Sequence, residues 1–337
     1  LNAPRAARAA PRTGPARDFA RNPPADPSAP IRSKPMTPEV DTPRPAAGPA
    51  FGASADAIQY HYDIGNAFLA LAQEGGRNYS CAMYHEGDTH EEAQIRKLDY
   101  HIDQIRARGA ARVLDIGCGW GALLNRLVTV AGVGQAVGLT LSNEQIRHIH
   151  DSYRHPGIEV LLKNWQDYRP DEPFDGIISL GAFEHFAKID EDKLEVYRYY
   201  FEKCHAFLKP GARMSLQTMG YGDVPRDRQH TDLFIAHEVF PESDLPYLAD
   251  IVRASEMLFE VELVRNDRHD YTRTMRAWFE NLRANRDRAL ALAPLHVIER
   301  YERMYRTMSY SFDLGAFALY RITFRRIEPN RLGARAS

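Results

Sequence analysis

The run Val113-Leu114-Asp115-Ile116-Gly117-Cys118-Gly119-Trp120-Gly121 carries the chain's clearest chemistry, and an acid next to a histidine, Glu184-His185, follows downstream. Val113, Leu114 and Ile116 suit a buried parallel strand, and the three glycines let the backbone turn sharply and approach a ligand without a Cβ in the way. Ala122 to Leu127 then opens a helix whose N-terminal amides face the same spot. The spacing predicts a nucleotide-cofactor loop. Ala122 stands where a dinucleotide fingerprint puts its third glycine, a tolerated exchange, so spacing alone leaves NAD open. The next run, Gln135 to Ser142, ends without the Asp or Glu that grips a ribose in NAD sites.

The D-x-G-x-G-x-G form is the signature of Rossmann-like methyltransferases, and the cofactor it indicates is S-adenosylmethionine. The elements around it agree. Thr89 and Glu92 form a capping-box pattern, and Ala93, Ile95, Leu98, His101, Ile102 and Ile105 recur at helical spacing up to Arg108. Strands are predicted at 113–116, 135–139, 158–162, 174–180, 212–218 and 317–324, and helices at 121–130, 142–153 and 190–208. This alternation predicts an α/β fold with a mostly parallel sheet and helices on both faces, and the resemblance to Rossmann-like methyltransferases implies seven strands. Ligands of such sheets sit beyond the carboxyl ends of the strands, so Glu184, just past strand 174–180, points to the cofactor's reacting end. Residues 220–310 break the alternation with an aromatic-rich section that includes Phe234, Phe240, Tyr247, Met257, Phe259, Trp278, Phe279, Tyr301, Met304 and Tyr305. We read it as a helical substrate lid inserted before the last strand.

Composition sets outer bounds. The 337 residues, 44% hydrophobic and 26% charged, suit a soluble globular protein with an ample core. Three scattered cysteines argue for a reducing compartment rather than a disulfide framework, and no zinc motif is present. No apolar run reaches the roughly 20 residues of a membrane span. Twelve of the 21 prolines fall in residues 1–50. Residues 1–55 are therefore expected to be a disordered Pro/Ala-rich tail, 56–327 the catalytic domain, and 328–337 a flexible basic tail. The first methionine is Met36, and the stretch before it is not expected to carry function. Residues 1–35 carry +5, which leaves −7 on the rest, a balance unlike that of a nucleic-acid binder. The expected location is the cytoplasm, with peripheral contact at the inner membrane face through Arg325, Arg326, Arg331 and Arg335.

From about Tyr60 to Ile327 the chain resembles the cyclopropane fatty acid synthase and mycolic acid methyltransferase family. The motifs are Tyr60-His61-Tyr62-Asp63, Tyr79-Ser80-Cys81-Ala82, Glu92-Ala93-Gln94, the glycine loop, Gly138-Leu139-Thr140-Leu141-Ser142, Gly181-Ala182-Phe183-Glu184-His185-Phe186, and Asp270-Tyr271-Thr272-Arg273-Thr274 before Trp278. The resemblance implies S-adenosylmethionine contacts from Tyr79, Ser80, Gly117, Gly119, Gly121, Thr140, Leu141, Ser142, Gln145, Trp165 and Gln166, with Trp165 covering the adenine. It implies transfer of a methyl or methylene group to the double bond of an unsaturated acyl chain. It also implies a bicarbonate base held by the Cys81 backbone, Glu184, Tyr271, a histidine and an isoleucine backbone. His185 is the further candidate beside Glu184.

One departure stands out. Where the family writes His-x-Ile, this chain reads Gln217-Thr218-Met219. Gln217 can donate to an anion but cannot carry charge or shuttle a proton, which weakens the case for bicarbonate. Other readings stay open: N- or C-methylation of a small amphipathic molecule, a non-catalytic cofactor sensor, or a dehydrogenase. Cys81 also reads as a plain buried thiol, and Glu184 with Tyr271 as a structural pair.

Overall fold

A computed structural model describes residues 66–73, 75–188, 191–224 and 243–328. The expected N-terminal tail, the Tyr60 to Asp63 motif, Phe234 and Phe240 of the expected lid, and Arg331 and Arg335 lie outside the described residues. A helical turn, α1 (Asn66–Leu69), precedes α2 (His90–Gln104). The Thr89–Glu92 capping box starts α2: the Thr89 side chain accepts from the Glu92 backbone N–H, and the Thr89 N–H donates to Glu92 Oε2 at 2.9 Å. Then come β1 (Arg112–Ile116), α3 (Ala122–Thr129), β2 (Gln135–Thr140), α4 (Asn143–Ser152), β3 (Ile158–Leu162) and β4 (Phe174–Leu180). A single 3-10 turn at Phe183–His185 leads to α5 (Lys193–Phe207), β5 (Leu208–Tyr221), α6 (Leu248–Ser255), β6 (Phe259–Asn266), α7 (Arg268–Ala284), α8 (Arg286–Leu290), α9 (Leu295–Leu314) and β7 (Phe317–Arg326).

The sheet order is β3-β2-β1-β4-β5-β7-β6. Strands β1 to β5 pair in parallel, and β7 runs antiparallel between β5 and β6. The predicted α/β class and seven strands hold. The seventh strand, β6, lies inside the stretch read as a helical lid, which is therefore not helical throughout. Phe259 of that stretch packs into the main sheet core instead. As an edge strand β6 buries little beyond Phe259, and its Glu262 pairs with Arg213 and Arg325, so the charges of an edge hide the strand pattern. Strand β5 also begins earlier than predicted, running through Lys209-Pro210-Gly211.

Two cores matter for the site. One fills the sheet's α5 and α6 face around Phe174, Tyr197, Phe201 and Phe324. The other joins α7 and α9 to the upper ends of β5 and β7, with Trp278, Tyr305, Met304 and Phe312 against Cys81, Met219 and Leu319. The aromatic section is thus largely a packed core, and its upper layer walls a pocket.

Candidate functional site

Strand β1 ends in a loop whose turn depends on glycine at Gly117. Gly117 has φ +84°, and a Cβ there would meet the Ala182 Cβ at 2.6 Å; Gly119, at φ +52°, has open space where its Cβ would be. The loop runs into the N-terminus of α3 and forms one wall of a cleft of ≈ 550 Å³. Tyr79, Ser80, Gly117, Gly119 and Gln145 of the expected cofactor set line this cleft. Gly121 turns away: a Cβ on it would strike Ile149, so it serves the packing of α3 on α4. Thr140 and Ser142 act one layer back. The Thr140 hydroxyl donates to Gln145 Oε1, and the Ser142 hydroxyl caps α4 by accepting from the Gln145 N–H at 3.3 Å. Leu141 lies between them. Trp165 and Gln166 are buried at the end of β3, and the Trp165 ring packs on Phe186, Tyr199 and Tyr200 rather than lining the cleft.

The same cleft holds residues absent from the sequence-based set. Lys97 is almost fully buried and donates to Ser80 Oγ at 3.0 Å and Asn78 Oδ1 at 3.3 Å. Asp115 is also buried; burial pushes its carboxyl up to about 7, against the pull of the Lys97 charge. Trp120 lines the cleft with its Nε1 lacking a hydrogen-bond partner. The signal for Lys97 was present: Gln94, Lys97 and His101 put polar groups at helical spacing on the buried face of α2, while Ile95, counted in the apolar stripe, is exposed.

A second pocket of ≈ 440 Å³ shares Tyr79 and Gly181 with the first. Its walls are Glu184, His185, Met219, Tyr271, Met275, Trp278, Met304 and Met308. Tyr79 stacks on Trp278 at 5.0 Å and 14°, which ties the wall of one cavity to the other. Glu184 accepts from the Thr218 hydroxyl at 3.0 Å and from the Met219 backbone N–H, yet burial dominates and pushes its carboxyl up to about 7. His185 sits against Ser243, its Nδ1 3.2 Å from the hydroxyl, and burial pulls its imidazole down to about 4, so it is neutral at pH 7. Tyr271 meets Trp278 edge-on at 6.3 Å.

Cys81 and Gln217 do not reach this pocket's lining. Both lie behind it, on the fully buried Arg321. Arg321 donates from Nε to Gln217 Oε1 at 2.9 Å and from Nη2 to the Ala82 carbonyl at 2.8 Å, and pairs with Asp267. Burial pushes the Cys81 thiol up to about 12, so it is a neutral core group. His101 of α2 approaches Gln217 Oε1 at 3.4 Å from the other side. Of the residues implied for an anion, only Glu184, Tyr271 and Met219 face the pocket. Without Cys81 and Gln217 in the lining, the set implied for a bicarbonate is incomplete here.

The sequence profile described as mycolic acid cyclopropane synthetase matches residues 52–322. The chain belongs to this family. Cyclopropane mycolic acid synthase 3 of Mycobacterium tuberculosis is 34% identical over 260 residues, which cover 72% of this chain and 88% of that protein. Hydroxymycolate synthase MmaA4 of Mycobacterium bovis is 33% identical over 273 residues, covering 76% and 87%. Among solved structures, the cyclopropane synthase MmaA2 from M. tuberculosis superposes with a TM-score of 0.75 at 29% identity, covering 82% of this chain and 99% of that one. CmaA1 complexed with SAH and CTAB gives 0.73 at 30% identity, with the same coverage.

Family membership makes this an S-adenosylmethionine-dependent methyltransferase. The cleft fits that cofactor on its own terms: a glycine turn that leaves room at Gly119, a helix N-terminus, a buried ammonium at Lys97, and no acid at the end of β2. Among the described residues no helix is long and apolar enough to cross a membrane, and no cluster suited to a metal ion occurs.

Proposed function

We propose that the protein transfers a methyl-derived carbon from S-adenosylmethionine to the double bond of an unsaturated acyl chain. The observation that carries this is the junction of the two cavities. The cofactor cleft shares Tyr79 and Gly181 with a pocket walled by methionines and aromatic rings, with one buried carboxylate. The cofactor brings an electrophilic methyl on a sulfonium. In this reading Ser80, Gly117, Gly119, Gln145 and Lys97 bind it, with Thr140 and Ser142 fixing Gln145.

An alkene that attacks a methyl is left with a carbon cation. Tyr79, Tyr271 and Trp278 present rings to steady that charge, worth roughly 0.5–2 kcal/mol each where desolvated. Met219, Met275, Met304 and Met308 keep water away from it. Glu184 supplies the counter-charge and takes the proton that the cation sheds; the Thr218 hydroxyl and Met219 N–H hold its carboxylate in place. A carboxyl poised near 7 is partly ionised at neutral pH and so can accept that proton. Gln217 plays no acid–base part, because its carboxamide oxygen is committed to Arg321.

Incubation of the purified protein with S-adenosylmethionine and unsaturated phospholipid in detergent, followed by mass analysis of the released acyl chains, tests this reading. A chain heavier by one carbon supports it. Methylation of a small amphipathic amine, with acyl chains left unchanged, would favour the alternative in which the neutral His185 imidazole serves an amine substrate.

A further inference from the structure

The corner between α8 and α9 exposes three leucines in six residues. Leu290, Leu292 and Leu295 are 48%, 49% and 48% exposed. Beside them a groove of ≈ 1250 Å³ runs from Leu292 past Arg288 and Asn281 to Gln73 and Arg77. Gln73 is only 7% exposed, yet neither its Oε1 nor its Nε2 has a hydrogen-bond partner. A buried, unpaired carboxamide lining an open groove marks a missing polar ligand. Arg77 adds a second sign: it holds a left-handed backbone, φ 52°, which non-glycine residues rarely adopt, at the boundary of this groove and the cofactor cleft.

Charge selects the occupant. Residues 283–303 hold five arginines against three acids, whereas the chain beyond residue 35 carries −7 in total. The groove is lined by the polar Gln73, Asn281 and Asn285 and the basic Arg77 and Arg288, and Leu292 of the three leucines reaches it. A second copy of the chain would set arginine against arginine. An anionic phospholipid surface complements both the charge and the leucines.

We propose that this corner docks the protein on an anionic phospholipid surface, with a head-group phosphate in the groove and the three leucines among the acyl chains. The inference rests on the acyl-lipid reading above and says where the substrate is met. Helix α9, which begins at Leu295, carries Met304 and Met308 of the acyl pocket wall, the first about 13 Å along the helix at 1.5 Å per residue. The docking face and the pocket thus share one rigid element.

Flotation of the full chain with phosphatidylglycerol/phosphatidylcholine vesicles, against phosphatidylcholine alone, tests it. Binding should require the anionic lipid and weaken with salt. R288E and the double variant L290E/L295E should each lower partitioning by roughly tenfold or more. L290E/L295E should keep wild-type turnover of detergent-dispersed unsaturated phospholipid. Four results would overturn the proposal: no binding to anionic vesicles, binding indifferent to both variants, displacement by inorganic phosphate without dependence on the leucines, or a change in oligomeric state or in capture of an acidic acyl-carrying protein as the sole effect of the variants. Vesicle binding without methylation of dispersed lipid would leave docking intact and refute the acyl-lipid reading.

Discussion

Gln217 and Arg321 face each other in register across β5 and β7, and Arg321 Nε donates to the Gln217 carboxamide oxygen at 2.9 Å with both side chains buried. This pairing explains the glutamine. A buried guanidinium needs acceptors, and Gln217, the Ala82 carbonyl and Asp267 supply them. An imidazole at 217 would face a fixed positive charge and be held neutral.

Arg321→Met strips the buried Gln217 and Ala82 acceptors of their donor and leaves Asp267 to the more exposed Arg265. Stability should fall by about 3–5 kcal/mol, read from urea denaturation followed by circular dichroism. Gln217→His should cost less, about 1–3 kcal/mol, and should not raise turnover. A stabilised or more active Gln217→His protein would mean that the pairing does not set the residue at 217.

Glu184→Gln keeps an acceptor for the Thr218 hydroxyl but removes the charge. Turnover should drop at least about 100-fold. Affinity for S-adenosylhomocysteine, measured by calorimetry, should change by no more than about twofold, because Glu184 lines the second pocket and not the cofactor cleft. Loss of cofactor binding would make Glu184 a structural residue.

Glu184 also gives the pH dependence a sign. Its carboxyl is raised from 4.5 to about 7 by burial, so between those values the folded protein holds a proton that the unfolded chain has released. Stability contributed by this group is therefore full below about pH 4.5 and declines as pH rises to about 7, by an amount on the order of 3 kcal/mol. Activity should move the opposite way, rising through about pH 7 as the base ionises. In denaturation series at several pH values, Glu184→Gln should flatten this part of the slope and be more stable than wild type at pH 8. An unchanged slope would contradict the assignment.

Lys97→Met removes the ammonium beside Ser80 and Asn78 and frees Asp115 from its opposing charge. We expect S-adenosylhomocysteine to bind about tenfold more weakly by calorimetry, a loss of roughly 1.4 kcal/mol. Wild-type affinity in a folded Lys97→Met protein would remove Lys97 from the cofactor site.

Local pattern made much of this legible. The glycine loop, the Thr89–Glu92 box and the strand–helix alternation are short-range signals, and each produced the element expected. Glu184, His185 and Tyr271 were legible through motif and strand-end position, and they line one pocket. What escaped depends on distant partners. Strand β6 was hidden because an edge strand exposes its charges. Lys97 was marked only by the polar face it shares with Gln94 and His101, because a lysine on an amphipathic helix normally faces water. Gln217 was visible as a departure, but its reason, Arg321, lies 104 residues away and meets it only when β7 inserts beside β5. Trp165 and Gly121 show the reverse: motif position suggested the cleft, whereas Trp165 packs in an aromatic cluster and Gly121 against a helix.

The most direct test follows the transferred carbon. Purified protein would be given methyl-deuterated S-adenosylmethionine and detergent-dispersed unsaturated phospholipid, and the products analysed by mass spectrometry and proton NMR. Deuterium should appear on a new carbon attached at the former double bond of the acyl chain, and should be absent with Glu184→Gln. Label found only on nitrogen or on a small-molecule acceptor, with the acyl double bond intact and cofactor binding normal, would contradict it.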